Sequence, residues 1–285
     1  MLLKSCGVHD GTFHADEVTA CALLLLFGCI EKNEIVRTRD LKVLMSCEYV
    51  CDVGGIYDAK QKRFDHHQVE YKGDLSSAGM VWKYLYEKGT VDAATYDYFN
   101  RSLIWGVDAH DNGRATLEVG VCTFSQVISN FVPAVYDAPS EELTSAFFAA
   151  LDFTHGHVRR LLERYRYTES CKELVVEAMQ SKGKYLIFEK AIPWMDVFFD
   201  RGGEKHPAQY LVMPSGNHWK VRGIPPTSHD RMKVRRPLPE AWAGLMGDEL
   251  KKVSGIDGAI FCHKGRFISV WETKEAAMKA LEKIL

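Results

Sequence analysis

Four short segments gather the side chains of this sequence that can do acid–base or metal chemistry. They are His9-Asp10-Gly11-Thr12-Phe13-His14-Ala15-Asp16-Glu17, Cys51-Asp52-Val53-Gly54-Gly55, Phe64-Asp65-His66-His67-Gln68 and Gly106-Val107-Asp108-Ala109-His110-Asp111. Mixed imidazole and carboxylate donors suit Mn²⁺ first, with Mg²⁺, Fe²⁺, Co²⁺ and Zn²⁺ also compatible. No cysteine joins the set, which disfavours a closed tetrahedral zinc site. The supply of about six donor groups, with positions left for water and substrate, exceeds what one ion needs, so two divalent ions are expected. Such a pair activates a water, neutralises phosphoryl oxygens and steadies a leaving group. Taken singly, His14 and Asp16 can cap a helix, Asp52 can serve a turn, and Asp108 can close a helical run. Asp65-His66-His67 is harder to read as filler. Buried together without cations, these carboxylates would repel one another, which favours the metal reading.

The elements that must position them follow from periodicity. Leu2 to Val8 reads as a buried strand and Asp16 to Gly28 as a helix stopped by glycine. Val50 to Val53 reads as the end of a second strand. Ser76-Ser77 can cap a helix running through Met80, Val81 and Leu85 to Gly89, and another helical stretch runs from Asp92 through Phe99 and Leu103 towards Trp105. Strands separated by helices imply a mostly parallel sheet covered by helices, and in such sheets the strands' carboxyl ends form the ligand crevice. Glu141 to about Gln180 is helical, with Gly156 leaving open whether one helix or two run there. Beyond Gly183 short apolar runs (Tyr185–Phe188, Tyr210–Met213, Ala259–Cys262, Phe267–Val270) alternate with turns, and a helix spans roughly Lys274 to Leu285. The expected organisation is an α/β metal-bearing domain over 1–140, a helical connector over 141–180, and a second, smaller α/β C-terminal domain over 181–285.

Bulk composition narrows the partners. The 285 residues are 46% hydrophobic and 26% charged, ordinary for a globular chain long enough for two domains. A net charge of −2 argues against a broad duplex-binding surface, though not against a local basic groove. The eight cysteines form no C-x-x-C pair, so they are expected to be reduced and mostly buried. The longest apolar run, Ala20 to Phe27, is too short to cross a bilayer, and Met1-Leu2-Leu3-Lys4 lacks the marks of a signal peptide. A cytoplasmic protein with no membrane partner, compatible with homo-oligomers, is expected.

The segments together resemble the DHH phosphoesterase superfamily and, within it, the melanocyte proliferating gene protein family. Asp65-His66-His67 is the name-giving motif; His9 to Glu17, Asp52-Val53-Gly54-Gly55, Asp108 after the Trp105 helix, and Gly258 to Ile268 also match. The resemblance implies that Asp52 bridges both ions and that His9 and His14 lie on one. His14 stands where relatives such as family II pyrophosphatases carry aspartate, one residue later than the usual spacing. Asp16, His66 and Asp108 would hold the other ion, Asp65 would orient His66, and His67 would face the substrate phosphate. Ser76, Ser77 and Gly79 could form a helix N-terminus whose free amides hold a phosphate oxygen. In relatives the second domain closes over the crevice, so His263, Lys264 and Arg266 become candidates for gripping substrate. The stretch Asn217 to Pro226, with His229 to Arg236 nearby, mixes rings and basic groups as single-strand binders do. The implied activity is metal-dependent phosphodiester hydrolysis, with single-stranded RNA trimmed from the 3′ end as the leading substrate. Small phosphorylated molecules (pyrophosphate, short oligonucleotides, nucleotides) and a non-catalytic RNA- or metal-binding role are the alternatives.

Overall fold

The computed structural model describes residues 2–285, which divide into two compact units, one ending at Tyr165 and the other running from Arg166 to Leu285. In the first unit the strands are β1 (Leu2–Val8), β2 (Ile35–Arg37), β3 (Cys47–Cys51), β4 (Tyr57–Asp58) and β5 (Arg63–Phe64). The helices are α1 (Ala15–Leu26), α2 (Leu41–Ser46), α3 (Ser77–Glu87), α4 (Ala93–Phe99), α5 (Trp105–Asp111), α6 (Phe124–Ser129) and α7 (Ser140–Ser170). The sheet order is β2-β1-β3-β5-β4. Its β1–β2, β1–β3 and β3–β5 pairings are parallel, while β4 returns antiparallel to β5. The sheet is therefore mixed, with parallel pairing where the histidine- and aspartate-bearing loops leave it.

Alternation along β1 explains the two faces. Cys6 and Val8 point into the main core with α1 and α3. Gly7 points the other way, where a Cβ would lie 2.6 Å from Leu44 Cδ2 of α2. That second face carries only a small cluster of Leu44, Cys47, Val50 and Val53. By contrast α1 is buried from Ala15 to Leu24, acidic residues included, the mark of a helix enclosed on every side. Its weak amphipathic pattern follows from that enclosure.

No break occurs at Gly156: α7 runs unbroken from Ser140 to Ser170, and the second helix of this stretch, α8 (Lys172–Gln180), starts after Cys171. On α7, Phe147, Leu151, Val158 and Leu162 form a buried stripe at helical spacing. Phe147 also meets Phe13 edge-on, with ring centroids 5.7 Å apart, and so ties α7 to the loop bearing His9 and His14.

The second unit contains β6 (Tyr185–Ile187), β7 (Tyr210–Ser215), β8 (His218–Gly223), β9 (Ala259–Cys262) and β10 (Ile268–Trp271), ordered β6-β7-β8-β10-β9. Besides α8 its helices are α9 (Met195–Asp200), α10 (Gly247–Ser254) and α11 (Lys274–Ile284). Only β6–β7 is parallel. Strand alternation again splits the packing. Tyr210 and Val212 face the cluster with α11, whereas Leu211 and Met213 face that with α8 and α9. The stretch read as a nucleic-acid segment thus includes β8, where Trp219 packs beside Val221 against the α11 core. Lys220 and Arg222 alternate to the other face, Arg222 over the Phe267 ring at 5.8 Å.

Phe147 is fully buried at the junction of α7 and the His9–His14 loop. Phe147→Ala is expected to cost about 3–5 kcal/mol, read as a lower denaturant midpoint for the first unit. A loss below about 1 kcal/mol, the range of well-tolerated core swaps, would contradict this packing.

Candidate metal centre

Side chains from the ends of β1, β3 and β5, from the start of α1 and from the end of α5 converge on one carboxylate, Asp52. Asp52 follows β3 with φ of 59°, a left-handed conformation costly for a side chain-bearing residue and typical of functional sites. Its backbone amide donates to the Phe64 carbonyl at 3.0 Å, which sets it level with Asp65 and His66. Asp52 Oδ2 lies 3.3 Å from His9 Nε2, while Oδ1 lies 3.4 Å from both His66 Nε2 and His67 Nδ1. One carboxylate thus faces two groups of donors.

The first group comprises His9, His14, Glu17 and Asp52, with candidate ligand atoms within 4.8 Å of one another. His9 Nε2 is 3.0 Å from Glu17 Oε1, and its Nδ1 is 2.8 Å from the Asp10 carbonyl. Glu17 also accepts the His14 amide at 2.9 and 3.0 Å, capping α1 while its carboxylate stays buried in the cluster. On the other side, Asp52 groups with His66 and His67, and His14 groups with Asp16 and Asp111. His66 Nε2 lies 3.0 Å from Asp111 Oδ2 and 3.9 Å from Asp16 Oδ2.

Asp65 accepts from the Gly55 amide at 2.6 Å, from the His67 amide at 3.0 Å, and contacts His67 Nδ1 at 2.8 Å. The imidazole that it holds is that of His67, where the resemblance implied His66. His67 is exposed and lines a cleft of about 420 Å³ together with His9, His14, Arg39 and Asp52.

Asp108 is held through one oxygen. Its Oδ1 accepts three hydrogen bonds, from the Ser76 amide (3.0 Å), the Ser76 hydroxyl (2.7 Å) and the Gly79 amide (3.1 Å). A Cβ on Gly79 would lie 2.2 Å from Asp108 Oδ2, so the approach requires glycine. Ser77 donates its hydroxyl to the Phe64 carbonyl at 2.8 Å. Both serines are fully buried, and the Ser76 and Gly79 amides expected to meet a phosphate donate to Asp108 instead. The structure thus brings together His9, His14, Asp16, Asp52, His66 and His67, and turns Asp108 towards α3.

Glu17, Asp111 and Arg39 join the centre without having been singled out as donors. The first two had a signal: Glu17 closes the His9 motif, and Asp111 lies three residues after Asp108, on the same helical face. Arg39, paired with Asp10 at 3.2 Å, had none. In the second unit His263, Lys264 and Arg266 occupy the β9–β10 turn. There the Gly265 amide donates to His263 Nδ1 at 2.9 Å and Arg266 takes φ of 56°.

Electrostatics bind the cluster tightly. Burial opposes charge on His9, but Asp52 and Glu17 outweigh it and raise the imidazole to about 10. Burial likewise opposes charge on His66, and Asp111 with Asp52 raises it to about 10. Burial acts to raise Asp52, yet His66 and His9 hold it below the usual carboxylate range. Asp16 is pushed well up by burial and by Asp52, Glu17 and Asp111. Burial lifts Asp108 to about 6 against its hydrogen bonds from Ser76 and Gly79.

Buried polar atoms are normally hydrogen-bonded. Here both Asp16 carboxylate oxygens, Asp52 Oδ1 and His66 Nε2 are buried without a hydrogen-bond partner, as is the second oxygen of Asp108, Oδ2. Orphaned oxygen and nitrogen donors aimed at one another fit divalent ions, and the donor types match those that hold them. His9, His14, Glu17 and Asp52 could hold one ion; Asp16, Asp52, His66 and Asp111 could hold another.

Comparison with known proteins places the chain among relatives. The pattern of the family MYG1_exonuc, described as Uncharacterised protein family (UPF0160), matches residues 5–285. The chain is 50% identical over 281 residues to the MYG1 protein of Chlamydia pneumoniae, covering 98% of this chain and 95% of that one. It is 32% identical over 314 residues to the MYG1 exonuclease of Homo sapiens, covering 95% and 83% respectively. Among solved structures, RecJ from Thermus thermophilus in complex with Mn²⁺ aligns over 98% of this chain and 51% of that chain. Identity there is 15% and the TM-score 0.29, a likeness on which nothing below rests; this chain spans about half the length of that protein.

Metals bind neutral imidazole, so histidines held protonated up to about 10 must lose protons on metal uptake. Titrating Mn²⁺ into the weakly buffered protein at about pH 7 is expected to release on the order of two protons per chain. Apparent affinity should rise with pH. Uptake without acidification would contradict the assignment of His9 and His66.

Proposed function

The chain belongs to the MYG1_exonuc family, UPF0160, and from that membership we propose that it is a divalent-metal-dependent phosphodiester hydrolase. The substrate class we propose is single-stranded RNA, trimmed from its 3′ end. One observation carries the hydrolase reading: the Asp52 carboxylate stands between two sets of donors, and both Asp16 oxygens, Asp52 Oδ1 and His66 Nε2 among them are buried without a hydrogen bond. The exonuclease reading is supported by the name of the human relative.

Two divalent ions, Mn²⁺ first and Mg²⁺, Co²⁺, Fe²⁺ or Zn²⁺ as alternatives, supply an activated water and neutralise charge on the phosphoryl oxygens. The chain's own groups do the rest. Asp52 would be the shared ligand, with His9, His14 and Glu17 holding one ion and Asp16, His66 and Asp111 the other. Asp111 takes the place first given to Asp108, because it, and not Asp108, reaches His66. Asp108 acts as an anchor that locks α5 to the start of α3 and so aims Asp111, one turn further on. Asp65 holds the Nδ1 of His67, which leaves Nε2 as its free nitrogen. Held that way, it presents Nε2 to the cleft, where it can donate to a phosphate oxygen or a leaving oxygen. Arg39 adds a cation to the same cleft and can pair with a non-scissile phosphate. In the second unit, His263, Lys264 and Arg266 are proposed as further substrate contacts, with Lys220 and Arg222 as the basic side chains of β8.

With Mn²⁺ present, the protein should shorten single-stranded RNA stepwise from the 3′ end when offered RNA, single-stranded DNA, duplex RNA, dinucleotides and pyrophosphate in parallel. Asp52→Asn should lower that rate by more than about 100-fold, beyond the effect of outer-sphere changes. Turnover of pyrophosphate or dinucleotides alone would replace RNA by a small substrate. Metal uptake with no turnover of any substrate would replace hydrolysis by a binding role.

The ligand assignment has its own check in metal stoichiometry, measured after gel filtration. Asp111→Asn should drop bound Mn²⁺ from about two ions per chain towards about one. Asp108→Asn should keep both, because an amide oxygen still accepts the three bonds from Ser76 and Gly79. The reverse result would return Asp108 to the metal.

A further inference from the structure

A second cleft adjoins the metal centre, and its chemistry is the opposite. It has a volume of about 370 Å³ and is walled by Thr12 and His14 on one side and by Val132, Pro133, Tyr136 and Leu143 on the other. Thr12 and His14 line the metal cleft as well, so the two spaces share a wall. The metal cleft is lined by His9, Arg39, Asp52, Asp65 and His67. Among the described residues, no aspartate, glutamate, lysine or arginine lines the second.

The walls are well supported. Phe13 forms the floor, fully buried against Phe147. The 132–136 segment is fixed at one end by the Val132 amide donating to the Ser129 carbonyl of α6 at 3.1 Å. At the other end, α7 begins with the Leu143 amide donating to the Pro139 carbonyl. Yet Tyr136 is fully exposed and Val135 largely so. Large apolar side chains left on a mouth beside a polar site mark a ligand surface.

We propose that this cleft is the base subsite of the centre: it takes the nucleobase of the nucleotide whose phosphate lies at the metals. The proposal rests on the hydrolase reading and names its substrate as a nucleotide. An anion joined to an uncharged planar ring is what a charged cleft opening into an uncharged one accommodates. The Tyr136 ring offers a flat face for stacking, which accepts every base, and Thr12 and Ser129 add polar residues to the lining. An alkyl group would gain from Val132 and Leu143 but nothing from an exposed tyrosine ring.

The test measures binding of adenosine 5′-monophosphate and of ribose 5-phosphate to the full Mn²⁺-loaded chain by calorimetry. Neither compound contains a phosphodiester, so binding is read apart from turnover. The nucleotide should bind at least about tenfold more tightly, the range of stacking on one aromatic ring. Tyr136→Ala, at a side chain too exposed to matter for folding, should remove about fivefold or more of that preference. Ala134→Trp, which fills the cleft, should bring the two ligands level while ribose 5-phosphate binding and Mn²⁺ uptake stay unchanged. Equal binding of both ligands to the unsubstituted protein, or a preference that survives both substitutions, would overturn the subsite. Base-dependent binding without hydrolysis of any phosphodiester would instead sink the hydrolase reading and leave the subsite standing. Hydrolysis with base-independent binding would do the opposite.

Discussion

Four carboxylates, those of Asp16, Glu17, Asp52 and Asp111, are brought close together, three of them fully or almost fully buried. Such a grouping is costly, because buried like charges raise each other's energy as well as losing their hydration. The imidazoles of His9 and His66 offset part of that cost by holding protons to about 10. They do not satisfy Asp16, both of whose oxygens remain without a partner. A fold that keeps such a cluster intact does so for the cations it gathers. This is the constraint from which the rest of the arrangement follows.

Holding the cluster requires rigid elements rather than long loops. Parallel pairing of β1, β3 and β5 brings His9, Asp52 and His66 to neighbouring strand ends. The left-handed backbone at Asp52 turns its side chain back over the sheet edge, and Gly54 and Gly55 continue the turn at positive φ. Asp16 and Glu17 arrive on α1 and Asp111 on α5. Between α4 and α5 the chain passes through a π-helical turn at Asn100–Ile104, a feature often found at functional sites because its extra residue shifts the helical face. Beyond it, Asp108 meets the amides of Ser76 and Gly79 and Asp111 faces His66.

Much of this was legible in the residues. The strand–helix alternation and the His9, Asp52 and Asp65-His66-His67 segments follow from local pattern, and so does the glycine that stops α1. What the pattern could not give was which of two carboxylates one turn apart would point where. Asp108 and Asp111 share a helical face, and only the competition of Ser76 and Gly79 for Asp108 decides between them. The same holds for Asp65, whose partner is fixed by a turn closed through the Gly55 amide. Ser76 and Ser77 looked available because hydrogen-bonding groups at a helix start usually are; tertiary packing had already used them. Trp219 looked like a stacking platform because its neighbours are basic, yet strand alternation sends it to the opposite side from Lys220 and Arg222. Propensity specifies elements, whereas the partner of each polar atom is a long-range fact.

Metal ligation also explains why selectivity must be sought beside the cluster. A centre of carboxylates and imidazoles distinguishes charge and geometry at phosphorus, and little of what the phosphate is attached to. The His9–His14 loop resolves this, since its two faces belong to different environments. His9 lines the charged cleft alone, Phe13 the uncharged one alone, and Thr12 and His14 form the wall between them. Phe13 packs on Phe147 of α7, so the loop is braced by the longest helix of the chain. A substitution that loosened Phe147 would therefore disturb both clefts together. One that altered only Val132 to Tyr136 would reach the uncharged cleft alone. Chemistry and recognition are separable in this unit because a single braced loop divides them.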